Sequence, residues 1–230
     1  MRLPMIMMMT TMKVPMESVW LQGAERGDAL IFETGHRRVR RNDYSETTSD
    51  APLDLATAVE ETEKWAKLVA DLRLCPWAER SLAGNACFYV ASRGSLVRDA
   101  LAAAAAELEN IKSKEEPIVF AIFPDLDEDF LTFDELCEDL ESLFLDEFDL
   151  QLAGFHPKWT YAGLEANDPL HFEKRAPHPT ISLIRAASVK DAQAITATIA
   201  TNNEDTLRDI GYEQLKDKYQ HFCTHHHSAL

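Results

Sequence analysis

The chain has 230 residues, of which 46% are hydrophobic and 27% are charged, values that are ordinary for a globular protein. Its formal net charge is −16, and this argues against nucleic acid and anionic membrane surfaces as partners, because proteins bind both mainly through Lys and Arg. We therefore expect a soluble acidic protein with no nucleic-acid and no membrane partner.

Residues 1–50 differ in composition from the rest of the chain. The first 41 residues hold seven basic and four acidic side chains, and all seven Met residues lie within the first 16 positions. The pattern predicts an N-terminal extension that is either disordered or a targeting segment, followed by one globular domain over residues 51–222. Residues 223–230 form a His-containing tail that we expect to be frayed. The protein is expected in the cytoplasm, or in an organelle if residues 1–50 are a transit peptide.

The first half of the domain alternates helices and strands. Apolar residues at helical spacing predict a helix from Leu55 to about Leu74, before Pro76. A short strand is predicted over residues 87–91, and Ser95 is a suitable N-cap for a helix that ends near Ile111. Residues 118–123 are continuously apolar, which is typical of a strand buried on both faces.

The second half continues the alternation up to a long irregular segment. Thr132 and Glu135 have the spacing of a capping box, which predicts a helix from there to about Asp146. A third strand is predicted over residues 150–155 and a fourth over 180–185, and the segment between them, residues 156–178, has no clear period. Helices are predicted from Ser188 to about Ala200 and over 203–220.

This element order predicts an α/β or α+β fold, with a largely parallel or mixed sheet of about four strands and helices packed on it. The two strand–helix–strand units favour parallel pairing of at least three neighbouring strands.

Four cysteines show no close pairing in sequence, so neither a zinc ribbon nor a disulfide framework is indicated, and we expect reduced thiols. Cys75 is the most interesting of them, because it precedes Pro76 at the expected start of a helical turn. A thiol at a helix N-cap has a lowered pKa and forms the reactive thiolate more readily. The alternative is that Cys75 is a small buried apolar residue beneath Trp77.

His156 directly follows a predicted strand, and in open α/β sheets ligands bind at the carboxyl ends of the strands. Its imidazole is the best general acid or base in the chain, because its ordinary pKa lies near neutrality. The alternative is that His156 only holds the end of the strand through a backbone hydrogen bond.

The irregular segment after His156 contains Asp168, Arg175 and His178. Long loops without periodicity inside a compact domain are often functional, and Arg175 could bind a carboxylate or a phosphate with two hydrogen bonds. The alternative is that Arg175 pairs with Asp168 and holds the loop. The histidines lack the tight spacing of metal ligands, so no metal site is predicted, and without a Gly-rich phosphate loop the sequence identifies no cofactor.

Three motifs together resemble a known family. They are Leu74-Cys75-Pro76-Trp77, Phe155-His156-Pro157 and the run from Asp168 through Arg175 to Thr180; Asn203, Leu207 and Gly211 add a closing helix motif. They are similar to the domain-of-unknown-function family 1415, uncharacterised and mostly bacterial proteins, over about residues 55–215. Trp77, Lys174 and His178 stand where the family usually has Phe, Asn and Tyr. The resemblance implies a polar cluster of Cys75, His156, Asp168 and Arg175, and it implies no particular reaction.

Two sets of candidate site residues follow. Cys75, His156 and Asp168 are the candidate catalytic residues, and Arg175, His178 and Trp77 are the candidate ligand-binding residues. The first hypothesis is a cysteine- and histidine-dependent enzyme that acts on a small anionic metabolite. The alternatives are a non-catalytic module that binds a small anion, and an acidic domain that meets a basic protein through the helix at 133–146. The sequence leaves the oligomeric state open.

Overall fold

A computed structural model describes residues 29–33, 54–92, 97–111, 115–126, 129–192 and 196–222. The strands in this part of the chain are β1 (Ala29–Glu33), β2 (Cys87–Ser92), β3 (Ile118–Ile122), β4 (Leu150–Phe155) and β5 (Thr180–Arg185). The α-helices are α1 (Leu55–Asp71), α2 (Ala78–Ala83), α3 (Val97–Asn110), α4 (Phe130–Phe148), α5 (Ala186–Ala192), α6 (Thr196–Ile210) and α7 (Tyr212–Gln220). A 3-10 helix, Pro169–Glu173, lies between β4 and β5.

The strands form one mixed sheet in the order β1-β2-β3-β5-β4, which confirms the predicted α/β class. Only the pair β2–β3 is parallel, with Val90 opposite Ala121, while the other three pairs are antiparallel. The expectation of three neighbouring parallel strands is therefore wrong. β2, β3 and β4 do run in the same direction, but β5 lies between β3 and β4, because the long segment after β4 brings the chain back in the opposite direction.

Each face of the sheet is covered by its own hydrophobic cluster. The α1 face holds Trp65, Tyr89 and Phe120 together with residues of the 3-10 helix, α6 and α7. The α4 face holds Val119, Leu183 and residues of α3 and α4. Successive strand residues alternate between the two clusters, since side chains along a strand point to opposite faces. Residues at the end of β4 therefore divide between the faces, and this decides the geometry of the candidate site.

Helix α4 packs unusually close to β4. A Cβ atom added to Gly154 would lie 2.7 Å from the Sγ of Cys137, so this position needs a residue without a side chain. The helix begins at Phe130 and its N-cap is Asp129, whose carboxylate accepts hydrogen bonds from the backbone N–H groups of Leu131 and Thr132. The predicted capping residue, Thr132, instead lies in the first turn and donates its hydroxyl to Asp129.

The C-terminal helices also differ from the prediction. α5 begins at Ala186, immediately after β5, and α6 continues to Ile210, well past the expected end near Ala200. Gly211, with φ of 80°, separates α6 from α7, because a glycine adopts this backbone conformation without steric strain. Hence the predicted final helix over 203–220 is in fact two helices.

Strand β1 lies inside the segment predicted as an extension, where no strand is expected from the sequence. It pairs antiparallel with β2, with Ile31 opposite Val90. Other expectations for residues 1–50, the predicted cap at Ser95 and the tail over 223–230 lie outside the described residues. None of the helices in the described ranges is long and apolar enough to cross a membrane.

Candidate functional site

The segment between β4 and β5 carries most of the candidate residues and is tied back to the end of β4. The backbone N–H of His156 donates to the carbonyl oxygen of Lys174 at 3.0 Å. The 3-10 helix begins after Asp168, whose carboxylate accepts from the N–H of Leu170 at 2.9 Å. These hydrogen bonds fix an irregular segment that has no sheet or α-helix ladder of its own.

Cys75 lies in the turn between α1 and α2, three residues before the helix rather than at its N-cap, which is Trp77. Its thiol accepts hydrogen bonds from the backbone N–H groups of Ala78 and Trp77. Burial raises the pKa of Cys75, and this effect outweighs the hydrogen bonds and the positive charge of Lys174, which lower it. The expected lowering of the pKa of the Cys75 thiol is therefore wrong.

His156 is buried on the α4 face of the sheet. Its Nδ1 accepts from the N–H of Lys158 at 3.1 Å, so the neutral ring carries its proton on Nε2. The ring packs against Phe133 of α4 at 5.2 Å between centroids. The preceding residue, Phe155, instead contacts Trp65 of α1 at 4.9 Å. This is the alternation of strand side chains continued past the end of β4.

Cys75 and His156 are therefore not brought together. Leu74 and Trp77, which flank Cys75, pack with the cluster on the α1 face, while His156 packs on the opposite face. The side-chain charge that acts on the Cys75 thiol comes from Lys174.

Asp168 pairs with Arg208 of α6 rather than with Arg175. Its carboxylate lies 3.2 Å from Nη1 of Arg208, in addition to capping the 3-10 helix. Burial alone would raise the pKa of Asp168. The hydrogen bonds from the Leu170 N–H and the Arg208 guanidinium, together with the charge of Arg208, outweigh burial and hold the pKa below its usual range. Its contacts are those of a residue that holds the loop.

Arg175 is only 6% exposed. Its Nε donates to the carbonyl oxygen of Trp159 at 3.1 Å, and its guanidinium carbon lies 4.9 Å from the centroid of the Phe172 ring. Among the described residues its Nη1 has no hydrogen-bond partner, and neither has the buried indole Nε1 of Trp159. Two buried donors without acceptors thus lie on two residues that are hydrogen-bonded to each other.

Lys174 also contacts Trp159, through the indole ring rather than the backbone. Its amine lies 5.6 Å from the Trp159 ring and 5.0 Å from the Phe155 ring. No ion pair joins Lys174 to a carboxylate of the described residues. The rings favour the ammonium through cation–π contact. Burial lowers the pKa of Lys174, and the more distant negative charges, Glu173 first among them, only partly oppose this effect.

Glu173, next to Lys174, is held by two other residues. One carboxylate oxygen accepts from Nδ2 of Asn203 at 2.9 Å and the other accepts from the Tyr161 hydroxyl at 2.9 Å. The same Nδ2 donates to the carbonyl oxygen of Leu74 at 2.9 Å. Asn203 of α6 therefore links the turn that carries Cys75 to the 3-10 helix. Sequence reasoning assigned no role to these residues, although Asn203 belongs to the closing motif of the family resemblance.

His178 is completely buried, and its Nε2 lies 2.8 Å from a carboxylate oxygen of Glu61, which is 2% exposed. This contact ties the start of β5 to α1 and holds His178 in the core. Glu61 was missed by the sequence analysis, yet it lies three residues after Ala58 and four before Trp65. The helical period alone therefore predicts that it faces inward.

Trp77 is partly buried and packs against the cluster on the α1 face.

His171 is buried and belongs to the loop: its Nδ1 accepts from the Tyr161 N–H at 3.1 Å, and its Nε2 lies 2.8 Å from the carbonyl oxygen of Glu165. Within the described ranges no group of three or more His, Cys, Asp or Glu residues is arranged to hold a metal ion.

The fold defines an α/β protein with a mixed sheet, in which the segment between β4 and β5 carries His156, Asp168, Arg175 and His178. The chain belongs to DUF1415, a family described as proteins of unknown function, whose family model matches residues 57–217. The matched range contains Cys75, His156, Asp168, Arg175 and Asn203. No curated protein and no solved structure matches the chain.

Proposed function

We propose that this protein binds a small anion beside Trp159, with Arg175 as the main anion-binding residue and Lys174 as a second source of positive charge. The proposal is carried by one observation: Nη1 of Arg175 is buried and has no acceptor among the described residues. A buried donor left in this state costs about 1–3 kcal/mol, and more when it is charged. A bound anion would supply the missing acceptor.

The chemistry of the surrounding groups supports an anion rather than a neutral ligand. The unpartnered atoms of Arg175 and Trp159 are both hydrogen-bond donors, and Lys174 adds a cation without an ion-pair partner in the described part of the chain. A planar guanidinium suits carboxylate and phosphate groups, because two parallel N–H groups can meet two oxygens. A chain with a formal net charge of −16 repels anions at long range. An anion therefore has to be bound through such local contacts.

The test is a thermal-shift titration of the full-length protein with phosphate, sulfate and small carboxylates, repeated on two variants. Arg175→Gln removes the guanidinium, and Arg208→Gln is the matched control, because Arg208 is exposed and already paired with Asp168 and Glu204. One class of anion should stabilise the wild type by about 2.7 kcal/mol at a concentration of 100 times Kd.

The stabilisation should be saturable, absent in Arg175→Gln and retained in Arg208→Gln. Arg175→Lys separates charge from geometry, since it keeps the cation but loses the planar pair of donors. A wild type that gains no saturable stability from any of these anions, or an equal loss of response in both Arg variants, would refute the proposal.

A second candidate function keeps Cys75 as the nucleophile of an enzyme that acts on the same small anion. The observation in its favour is that the thiol accepts hydrogen bonds from two backbone N–H groups and receives the positive charge of Lys174, all of which stabilise a thiolate. His156 does not serve as the direct base in this version, because it packs on the opposite face of the sheet.

The two candidates differ in how fast Cys75 reacts with iodoacetamide. If binding alone is the function, Cys75 should react slowly at neutral pH and faster only above the ordinary thiol range, because burial raises its pKa. Peptide mass spectrometry over a pH series measures this, with buried Cys137 as the internal reference and Cys75→Ser as the matched variant. Rapid alkylation of Cys75 at neutral pH would instead favour the enzyme.

A further inference from the structure

Lys174 differs from Lys67 and Lys190 in how its charge is accommodated. Lys67 lies 3.0 Å from a carboxylate oxygen of Asp71, and Lys190 lies 3.7 Å from one of Asp149. Both are exposed lysines on helices. Lys174 is partly buried, and it faces the rings of Phe155 and Trp159 instead of a carboxylate.

The nearest acid in the sequence does not neutralise Lys174. Both carboxylate oxygens of Glu173 are engaged, one by Nδ2 of Asn203 and the other by the Tyr161 hydroxyl. Asn203 is itself fixed, because it also donates to the carbonyl oxygen of Leu74. The hydrogen bonds around Glu173 therefore hold its carboxylate out of ion-pair range of the amine.

An amine in such surroundings loses its proton more readily than a surface lysine. Partial removal from water disfavours the charged form, and no carboxylate of the described residues lies within ion-pair range. The cation–π contacts with Phe155 and Trp159 oppose the loss of the proton only in part. In agreement with this geometry, burial lowers the pKa of Lys174. A neutral amine is the nucleophilic form, and lysines in apolar surroundings are the ones that form imines with carbonyl compounds.

A second observation points to the kind of carbonyl compound. The residue that follows, Arg175, has the buried Nη1 without an acceptor among the described residues. Its Nε donates to the carbonyl oxygen of Trp159, whose ring Lys174 faces. We propose that Lys174 is an amine nucleophile that forms an imine with a small carbonyl compound bearing an anionic group. The anionic part of this inference rests on the proposed function, whereas the reactivity of the amine does not.

The reaction balances without an oxidant or a reductant. The lone pair of Nζ attacks the carbonyl carbon and a C–N bond forms, while the electron pair of the C=O double bond moves to oxygen, which takes up a proton. The nitrogen releases a proton to give a neutral carbinolamine. The carbinolamine then loses its hydroxyl group and the remaining proton on nitrogen, which leave together as water, and the nitrogen lone pair forms the C=N double bond of the imine.

The experiment traps this imine in the full-length protein. Glyoxylate, an aldehyde with a carboxylate, and acetaldehyde, a neutral aldehyde, are each added at neutral pH together with cyanoborohydride, which reduces the imine to a stable secondary amine. Peptide mass spectrometry follows the extent of modification at Lys174, Lys67 and Lys190. The two exposed lysines are internal references, so the main comparison needs no variant.

Lys174 should be modified several-fold faster than Lys67 and Lys190 by both aldehydes. Its rate with glyoxylate, relative to acetaldehyde, should exceed the same ratio at the reference lysines, and this preference should disappear in Arg175→Gln but persist in Arg208→Gln. Lys174→Arg should remove the modification at this position and leave the references unchanged.

The failures of the two proposals can be told apart. If Lys174 reacts no faster than the reference lysines with either aldehyde, the amine is not a nucleophile, even where the anion titration succeeds. If Lys174 reacts fast with both aldehydes but shows no preference for glyoxylate, the anionic substrate class is wrong. That second result combined with a failed anion titration would overturn the proposed function while leaving the reactive amine established.

Discussion

The contact between Glu61 and His178 and the neighbourhood of Lys174 and Arg175 both place ionisable groups in the interior, but they satisfy them differently. In the first, a carboxylate and an imidazole meet at 2.8 Å with almost no exposure. In the second, Nη1 of Arg175 and the indole Nε1 of Trp159 are buried without an acceptor among the described residues. Removing one member of a buried, hydrogen-bonded pair costs stability, whereas buried donors without acceptors cost stability until a ligand is bound.

The two regions also differ in where they lie along the chain. Glu61 is on α1 and His178 immediately precedes β5, so regular elements fix both positions. Lys174 and Arg175 follow a 3-10 helix in the irregular segment, which depends on side-chain contacts such as those of Asp168 and Glu173 for its shape. The proposed function assigns ligand binding to the second region, whereas the first region maintains the fold, and four predictions test this division.

The largest effect is expected from His178→Ala. The change leaves the buried carboxylate of Glu61 without its imidazole partner, and removing one member of such a buried pair costs about 3–5 kcal/mol. Urea unfolding measures the free energy, and His221→Ala is the matched control, because His221 is 74% exposed. Glu61→Gln keeps the shape of the side chain and should cost less. If His178→Ala lowered the free energy of unfolding no more than His221→Ala does, the contact between Glu61 and His178 would not be what maintains the fold.

The second largest effect is expected from Asn203→Ala. Asn203 links the turn after α1, through Leu74, to Glu173 beside Lys174. The change removes two hydrogen bonds from Nδ2 and should cost about 2–3 kcal/mol, since the buried carbonyl oxygen of Leu74 loses its donor. Asn202→Ala, at the adjacent exposed position, should change stability by no more than about 0.5 kcal/mol. Asn203→Ala should also weaken the response to anions, which a purely local packing role would leave intact.

Lys174→Met is expected to be neutral, or to stabilise the protein by up to about 1 kcal/mol at neutral pH, because it replaces a poorly matched cation with an apolar side chain. The lowered pKa means that the folded protein binds this proton less tightly than the unfolded chain does. The stability contributed by Lys174 therefore rises with pH until the ordinary lysine pKa of about 10.4 is passed.

The difference in unfolding free energy between Lys174→Met and the wild type should accordingly shrink between neutral pH and pH values near 10. Chemical unfolding at several pH values measures it, with Lys67→Met as the control, because Lys67 is exposed and paired with Asp71. A clear loss of stability in Lys174→Met at every pH would mean that this amine is well accommodated, and the contrast between the two regions would fail.

Asp168→Asn should have the smallest effect, below about 1 kcal/mol, because its contact with Arg208 lies near the surface and is screened by solvent. The lowered pKa of Asp168 stabilises the fold above the ordinary aspartate pKa of about 3.9, and this stabilisation is lost as the pH falls through the folded value. The unfolding free energies of the wild type and Asp168→Asn should therefore converge at low pH, which acid unfolding measures. Asp205→Asn, at an exposed position, provides the control. If the difference in unfolding free energy between the wild type and Asp168→Asn stayed the same down to low pH, the prediction would be wrong.

Local pattern determined most of the regular elements. The spacing of apolar residues in α1, the continuous apolar run of β3 and the alternation in β5 all follow from periods that the backbone imposes, and the structure has these elements within a few residues of the predicted bounds. The three motifs also identified the family, which the match over residues 57–217 confirms. The position of Asp168 at the start of a turn is local as well, because an Asp side chain readily caps the N–H groups that follow it.

Only the tertiary structure decided which of the candidate residues meet. Sequence order makes Phe155 and His156 neighbours, but the pleat of β4 sends one to the α1 face and the other to the α4 face, and so His156 is separated from Cys75. Sequence separation hides the partners of Glu61, Asn203 and Asp168, since each contact depends on how distant elements pack. The pKa of Cys75 depends on the same packing: the sequence supplies the N–H groups beside the thiol, whereas the burial that outweighs them exists only in the folded chain.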